Sequence, residues 1–350
     1  MDRVVFCVAR VCSASIIIKC ESEEEILAVL VVGGAGYIGS HAARVLQRKG
    51  YDVIIYDNLS NGHRELAEGF EFVVGDIADT AKIAPLLQRC DAVMHFAAAA
   101  YVGESVTNPR KYFRNNVTSA VALLDAVMDS RVRKFIFSST CAVYGNPVKV
   151  PITEDNPRQP VNPYGATKLA FELALESYSR AYGLKYVSFR YFNAAGADES
   201  GTIGEMHEPE THLIPLIFEA VQGRRAAMEI FGDDYPTPDG TCIRDYIHVN
   251  DLGEAHMLGL EYLAKGDSVA MNLGTGKGYS VHEVVSAVEH ITGHKVPTQI
   301  TPRRPGDPSE LVADPRLAEK LLKWKARRSL DEIISTAWKW AQREKAASQG

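Results

Sequence analysis

A chain of 350 residues with a formal net charge of −6 carries no general attraction for nucleic acid or an anionic membrane. No apolar run approaches the ~20 residues that a membrane span needs, and the length suffices for two lobes sharing one large core. Six cysteines with no C-x-x-C suggest neither a disulfide framework nor a zinc site, so no metal is expected. Residues 1–26 mix short apolar patches with Arg3, Arg10 and Lys19 and close on Glu23-Glu24-Glu25. Arg10 interrupts the apolar core that a secretory signal requires, so this extension is expected to be disordered or a wrongly assigned start.

Residues 27–32 (Leu-Ala-Val-Leu-Val-Val) form an unbroken apolar run of strand length, as expected for a parallel strand buried on both faces. The run feeds into Gly33-Gly34-Ala35-Gly36-Tyr37-Ile38-Gly39. A helix follows to about Lys49, with Ile38, Ala42, Val45 and Leu46 on one face and Gly50 as its stop. Val53-Ile54-Ile55-Tyr56 reads as the next strand, and Asp57 stands at its end, 18 residues past Gly39. This is a complete βαβ unit with its glycines in the first turn. Gly33 permits the tight turn, Gly36 lets backbone approach a pyrophosphate, and Gly39 lets helix and strand pack closely. Asp57 suits the adenosine ribose hydroxyls and repels a 2′-phosphate. His63 and Arg64 come only after Asn58-Leu59-Ser60-Asn61, so NAD is expected rather than NADP.

Further strands are expected near 70–74, 92–96, 134–137 and 186–189, with helices between them. The pattern predicts an α/β fold: a Rossmann-like, doubly wound parallel sheet with a smaller α/β lobe for the substrate. Ligands of such sheets lie beyond the carboxyl ends of the strands. In NPYGATKLAFELALESYSRAYG a helix brings Tyr164 and Lys168 onto one face, four residues apart. Of fifteen tyrosines this alone has lysine at that spacing. A nearby cation favours phenolate, which predicts that Lys168 draws the Tyr164 hydroxyl toward a useful range.

The three-and-three glycine spacing with the Tyr/Lys pair resembles the extended short-chain dehydrogenase/reductase family. Within it the chain is similar to the sugar-nucleotide 4-epimerases that act on UDP-hexoses, from about residue 28 to about 340. The motifs are GGAGYIGSH at 33–41, DNLS at 57–60, GDI at 75–77, HFAA at 95–98, VGESV at 102–106 and FSSTCAVYG at 137–145. PYGATK at 163–168, RYFNAAG at 190–196, DGTCIRDYIHVNDL at 239–252 and RRPGD at 303–307 continue the series.

The resemblance implies a Thr140–Tyr164–Lys168 triad. Tyr164 would take the proton of the sugar 4-hydroxyl while C4 gives hydride to NAD, and the keto sugar would turn and be reduced on its other face. Around the cofactor it implies Tyr37 and Ile38 in the turn, Asn58 beside Asp57, Asp76 and Ile77 at the adenine, Phe96-Ala97-Ala98 along the pyrophosphate cleft, and Asn115. Ala100 stands where relatives often carry a lysine, so that contact is absent. Cys141 and Ala142 follow Thr140 where 4,6-dehydratases place an Asp-Glu pair, which implies oxidation and reduction at C4 without dehydration. For the UDP-sugar it implies Asn193, Arg244 and Arg304 at the diphosphate, Asp307 at the uridine ribose, Ile230 and Phe231 at uracil, and Leu213 near the nucleotide. Leu311 takes the place of a pocket gatekeeper.

The chain divides into 1–26, a cofactor domain 27–193 completed by part of 240–262, and a substrate lobe 194–345. A cytoplasmic homodimer is expected, paired through helices near 112–130 and 164–182 that carry Val117, Val121, Leu124, Phe171 and Leu173. Its role would lie in galactose metabolism or glycan precursor supply. Open alternatives are epimerisation of an N-acetylhexosamine, pentose or uronate nucleotide, net dehydrogenation with release of NADH, and a catalytically silent NAD-sensing scaffold.

Overall fold

The computed structural model describes residues 27–304 and 306–347; the expectation for residues 1–26 lies outside the described residues. Its strands, in chain order, begin with β1 (Ala28–Val32), β2 (Asp52–Asp57), β3 (Glu71–Val74), β4 (Ala92–His95), β5 (Lys134–Thr140) and β6 (Lys185–Tyr191). Then come β7 (Asn193–Ala195), β8 (Met228–Phe231), β9 (Ile243–His248), β10 (Val269–Leu273), β11 (Gly278–Ser280), β12 (Thr298–Thr301) and β13 (Glu310–Leu311).

Seven strands form one parallel sheet in the order β10-β6-β5-β4-β1-β2-β3. Alternation along β1 explains how both faces are filled. Val29 and Val31 point into a core with Val45 and Leu46 of the helix Tyr37–Arg48 and Leu252 and Ala255 of the helix Val249–Tyr262. Leu30 and Val32 point the other way, against Leu123, Leu124 and Phe171 from the helices Ala120–Met128 and Pro163–Tyr182. Chain order reverses between β1 and β4, so the carboxyl ends of these two strands frame a ligand crevice.

The sheet takes more of the later chain than the sequence partition allots to it. Beyond the expected 240–262 contribution, β10 pairs with β6, and Leu322 and Trp324 close the same core. Val-Ala-Met-Asn-Leu is too short and too mixed for its period to be read alone. The remaining lobe is built around β9, which pairs with β7, β11 and β13, while β8 pairs with β12. Its core joins the helices Leu213–Val221, Val281–Thr292 and Leu330–Ala347. No described helix is long and apolar enough to cross a membrane.

Candidate active site

The turn after β1 is shaped by what surrounds it. Gly33 has φ +80°, and a Cβ there would run into the Ala97 amide and stand 2.8 Å from the Phe96 carbonyl carbon. The turns after β1 and β4 therefore close on each other backbone to backbone, as only glycine permits. A Cβ on Gly39 would strike the Gly33 carbonyl oxygen, which explains the tight helix–turn packing. At Gly36 the protein itself leaves room, the nearest atom being Gly33 O at 3.4 Å. Gly36 caps the helix Tyr37–Arg48 without a side-chain hydrogen bond, so the first amides keep donors for an anion.

Asp57 is 8% exposed and accepts from Ala35 N at 3.0 Å and Leu59 N at 2.8 Å. Burial raises its carboxyl above the usual range. Asn58 donates to the Asp76 carboxylate at 2.8 Å. His63 meets Met206 O and Arg64 lies over the Phe72 ring, so both are engaged away from a 2′-phosphate. These residues fit a dinucleotide with an unphosphorylated ribose. Phe96 packs on His256 with ring centres 4.8 Å apart, and Ile77 is 4% exposed; both side chains belong to the core. Ala98 stands in the same turn after β4.

Thr140 ends β5, and the helix Pro163–Tyr182 delivers Tyr164 and Lys168 to it. Asn162 caps that helix through Gly165 N at 2.8 Å, with Pro163 in its first turn. Burial pushes the Tyr164 phenol up to about 12 against a hydrogen bond from Thr140 that favours phenolate. Burial also takes the Lys168 ammonium down to about 7, opposed by Glu172. The expectation that Lys168 draws the phenol down is not met in the structure. The Lys168 Nζ sits 5.9 Å from the Tyr164 ring centre and donates to Ser138 O at 2.7 Å. Lys168 is buried and Tyr164 half-buried, and desolvation penalises each charge. Cys141 is likewise pushed up to about 12 by burial, so it remains a thiol.

In the lobe, Arg244 and Asp307 are expected at different parts of a substrate, yet they pair with each other. Arg244 also donates to Pro308 O at 2.8 Å. The Arg304 guanidinium lies 3.8 Å over the Phe231 ring, so the two face one opening. Ile230 is corrected: the residue is 1% exposed and its side chain packs in the lobe core, away from the opening. Asn193 opens β7 and donates to Asp245 O at 3.0 Å. Leu213 begins its helix after His212. Leu311 packs against the small core of Val143, Tyr144, Ile152, Phe192 and Ala313, which Cys141 also covers.

The family model of the NAD dependent epimerase/dehydratase family matches residues 29–274. The chain belongs to this family. It is 49% identical over 318 residues to UDP-glucose 4-epimerase of Halalkalibacterium halodurans, covering 90% of this chain and 95% of that protein. The crystal structure of UDP-glucose 4-epimerase from Brucella ovis in complex with NAD superposes with a TM-score of 0.87 at 52% identity, over 89% of this chain and 97% of that one. The Bifidobacterium longum UDP-glucose 4-epimerase in complex with NAD+ and UDP gives 0.86 at 39% identity, over 91% and 99%.

Within this epimerase/dehydratase site, several positioning groups escape sequence reasoning. The helix bearing Asn115 passes through a π turn at Arg114–Ser119, a form common at functional sites. Asn115 donates to Asn116 Oδ1 at 2.9 Å. Buried Asn116 takes both the amide and the carbonyl of Ala99 and donates to Thr167 Oγ1 at 3.1 Å. It thereby ties the turn after β4 to the tyrosine helix. Glu172, one turn beyond Lys168, receives two bonds from Arg190, at 2.9 and 2.7 Å, and one from Ser139 at 2.6 Å. Breaking such a buried pair costs about 3–5 kcal/mol. The one signal in sequence is a glutamate on an otherwise core-facing stripe.

Proposed function

We propose that this protein interconverts UDP-glucose and UDP-galactose at C4, with NAD kept through the whole cycle. The observation that carries this is the meeting of Tyr164 with Thr140, which favours its phenolate, beside buried Lys168 on Ser138 O, without an acid or base after Thr140. NAD held at Gly33, Gly36, Gly39 and Asp57 would supply the hydride acceptor and donor, and its cationic ring would favour the Tyr164 phenolate. Tyr164 accepts the 4-hydroxyl proton and returns it. Thr140, donor and acceptor at once, bridges the sugar oxygen and the phenol. Lys168 holds a positive charge or a donor beneath them and would hold the nicotinamide ribose.

At the other end of the substrate, Arg304 over Phe231 offers a planar cation and an aromatic face to the nucleotide. Arg244 turns from Asp307 to the diphosphate, freeing the carboxylate for ribose hydroxyls. Asn193 and Leu213 line the path between. The relatives that carry NAD and UDP support this assignment. Cys141 stays a neutral thiol, and Ala142 is inert, so water elimination lacks its acid and base.

The reading includes a symmetric dimer, with a correction to its contacts. Leu124 and Phe171 are fully buried within the chain and are not available to a partner. Leu173 and Phe113, 46% and 45% exposed, with half-buried Val117 and Val121, remain for an isologous interface. Light scattering at micromolar concentration is expected to give twice the chain mass; a monomeric mass refutes the dimer.

The deciding experiment incubates purified protein separately with UDP-glucose, UDP-N-acetylglucosamine, UDP-xylose and UDP-glucuronate, without added NAD. UDP-galactose is expected from UDP-glucose, and denaturation is expected to release about one NAD(H) per chain. A nearly nucleotide-free protein with strict dependence on added NAD would instead be a dehydrogenase that releases its cofactor.

A further inference from the structure

Between Gly196 and His212 the chain forms neither helix nor strand, yet part of it is densely built. Glu205, His207, Glu210 and His212 each bring one ligand-capable atom within 4.8 Å of the others. Glu205 Oε1 stands 2.9 Å from His207 Nδ1 and 2.8 Å from His212 Nδ1, while Glu210 Oε1 lies 2.9 Å from that same His212 nitrogen. One oxygen faces two imidazole nitrogens, and one nitrogen faces two carboxylates. A ring nitrogen carries at most one proton, so protons alone serve this convergence poorly.

Two carboxylates with two imidazoles form a donor set suited to a borderline dication such as zinc. Tetrahedral bonds of about 2.0–2.1 Å place ligand atoms roughly 3.3 Å apart. The short contacts here open by about half an ångström to admit an ion, and the widest pairs, within 4.8 Å, close by up to about 1.5 Å. The carboxylates are sunk, Glu205 and Glu210 being 8% and 12% exposed, whereas His212 is 48% exposed and leaves an entry.

Outer contacts hold the ligands in place, as metal sites require. Thr211 N and His212 N donate to Glu210 Oε1 at 2.6 and 2.7 Å. Trp340 Nε1 donates to Glu205 O at 3.0 Å, and His63 meets Met206 O at 2.9 Å. The neighbouring Tyr101 hydroxyl lies within the field of both glutamates. A cavity of about 200 Å³ opens beneath, lined by Glu205, His207, Glu210, Ile214 and Phe218.

We propose that Glu205, His207, Glu210 and His212 bind one zinc-class divalent ion that fastens this segment over the cofactor turn. Four protein ligands close the coordination sphere, which marks a structural ion rather than a catalytic one. The segment touches the turn directly: the Tyr37 ring meets His207 edge-on at 6.2 Å, and the Tyr37 hydroxyl donates to Gly196 O at 2.6 Å. It then leads straight into the helix that starts at Leu213. An ion here ties four side chains of this irregular segment to one point. The spacing E-x-H-x-x-E-x-H contains no cysteine, so a search led by cysteines passes over it.

The test strips the full-length protein with a chelator, then titrates Zn2+ and, separately, Co2+. Saturable uptake of about one ion per chain is expected, with the strong visible absorption of four-coordinate Co(II) and a raised unfolding midpoint. Chelation is expected to speed loss of bound nucleotide. All four responses should vanish in His207→Ala/His212→Ala. Glu210→Gln, which keeps shape and removes one charge, is expected to weaken binding at least ~10-fold and serves if the double variant fails to fold. Wild type that takes up no stoichiometric ion overturns the proposal. So does His207→Ala/His212→Ala, or Glu210→Gln alone, binding like wild type.

Discussion

Around the cofactor turn, contacts run from backbone to backbone. Gly33 abuts Phe96 and Ala97, Gly39 abuts Gly33, and Asp57 is fixed by the Ala35 and Leu59 amides. In the substrate lobe, functional side chains instead hold one another. Arg244 closes on Asp307, and Arg304 rests on Phe231. The first arrangement is fixed by backbone packing. The second rests on side-chain pairs, which rotamer changes can part. That difference suits a cofactor that stays and a nucleotide sugar that comes and goes, because preorganisation lowers the ordering cost of what is held permanently.

Substitutions can break this contrast at either end. The largest effect is expected between the two regions: Tyr164→Phe keeps the ring and removes the proton acceptor. Turnover should fall by ~10²–10⁴-fold with KM little changed; near wild-type turnover would remove Tyr164 from the chemistry. On the cofactor side, Gly33→Ala places a side chain at φ +80° against the Phe96–Ala97 backbone. A stability loss of about 1–3 kcal/mol or more and nucleotide-poor protein are expected in thermal melts and nucleotide assays. Intact NAD content in a folded Gly33→Ala protein would contradict a preformed cradle.

On the lobe side, Arg244→Ala should raise KM for UDP-glucose by roughly 10-fold or more and change turnover less. An equal fall in turnover would place Arg244 in the reaction itself. The smallest effect sharpens specificity. Leu311 packs against the same small core as Cys141, the residue after Thr140, so Leu311→Tyr should narrow the sugar end of the pocket. A secondary activity on UDP-N-acetylglucosamine is expected in wild type, and this change should reduce it by ~10-fold while sparing UDP-glucose. Equal slowing of both substrates would move the wall elsewhere.

What could be read ahead of the structure follows the same divide. The glycine turn, Asp57 and the Tyr164/Lys168 spacing are local patterns, set by strand and helix periods within one βαβ unit or one helical turn. β10 depends on a sheet edge supplied by β6, and the Asn116 clamp on a π turn that no period reveals. The Arg244–Asp307 pair joins positions 63 residues apart. Counting apolar residues on a helix also misled: Leu124 and Phe171 serve this chain's own core. The Tyr164/Lys168 spacing was legible, but its electrostatic sign was not, because desolvation depends on walls from Phe137 and Ser138.

The central claim is that hydride leaves and returns to one sugar within a single closed site. UDP-glucose carrying deuterium at C4 tests it directly when incubated with the protein and an excess of free, unlabelled NADH. The UDP-galactose formed is expected to keep its full deuterium at C4, with none in the free NADH. Loss of label from the product, or its appearance in the free nucleotide pool, would contradict a retained cofactor.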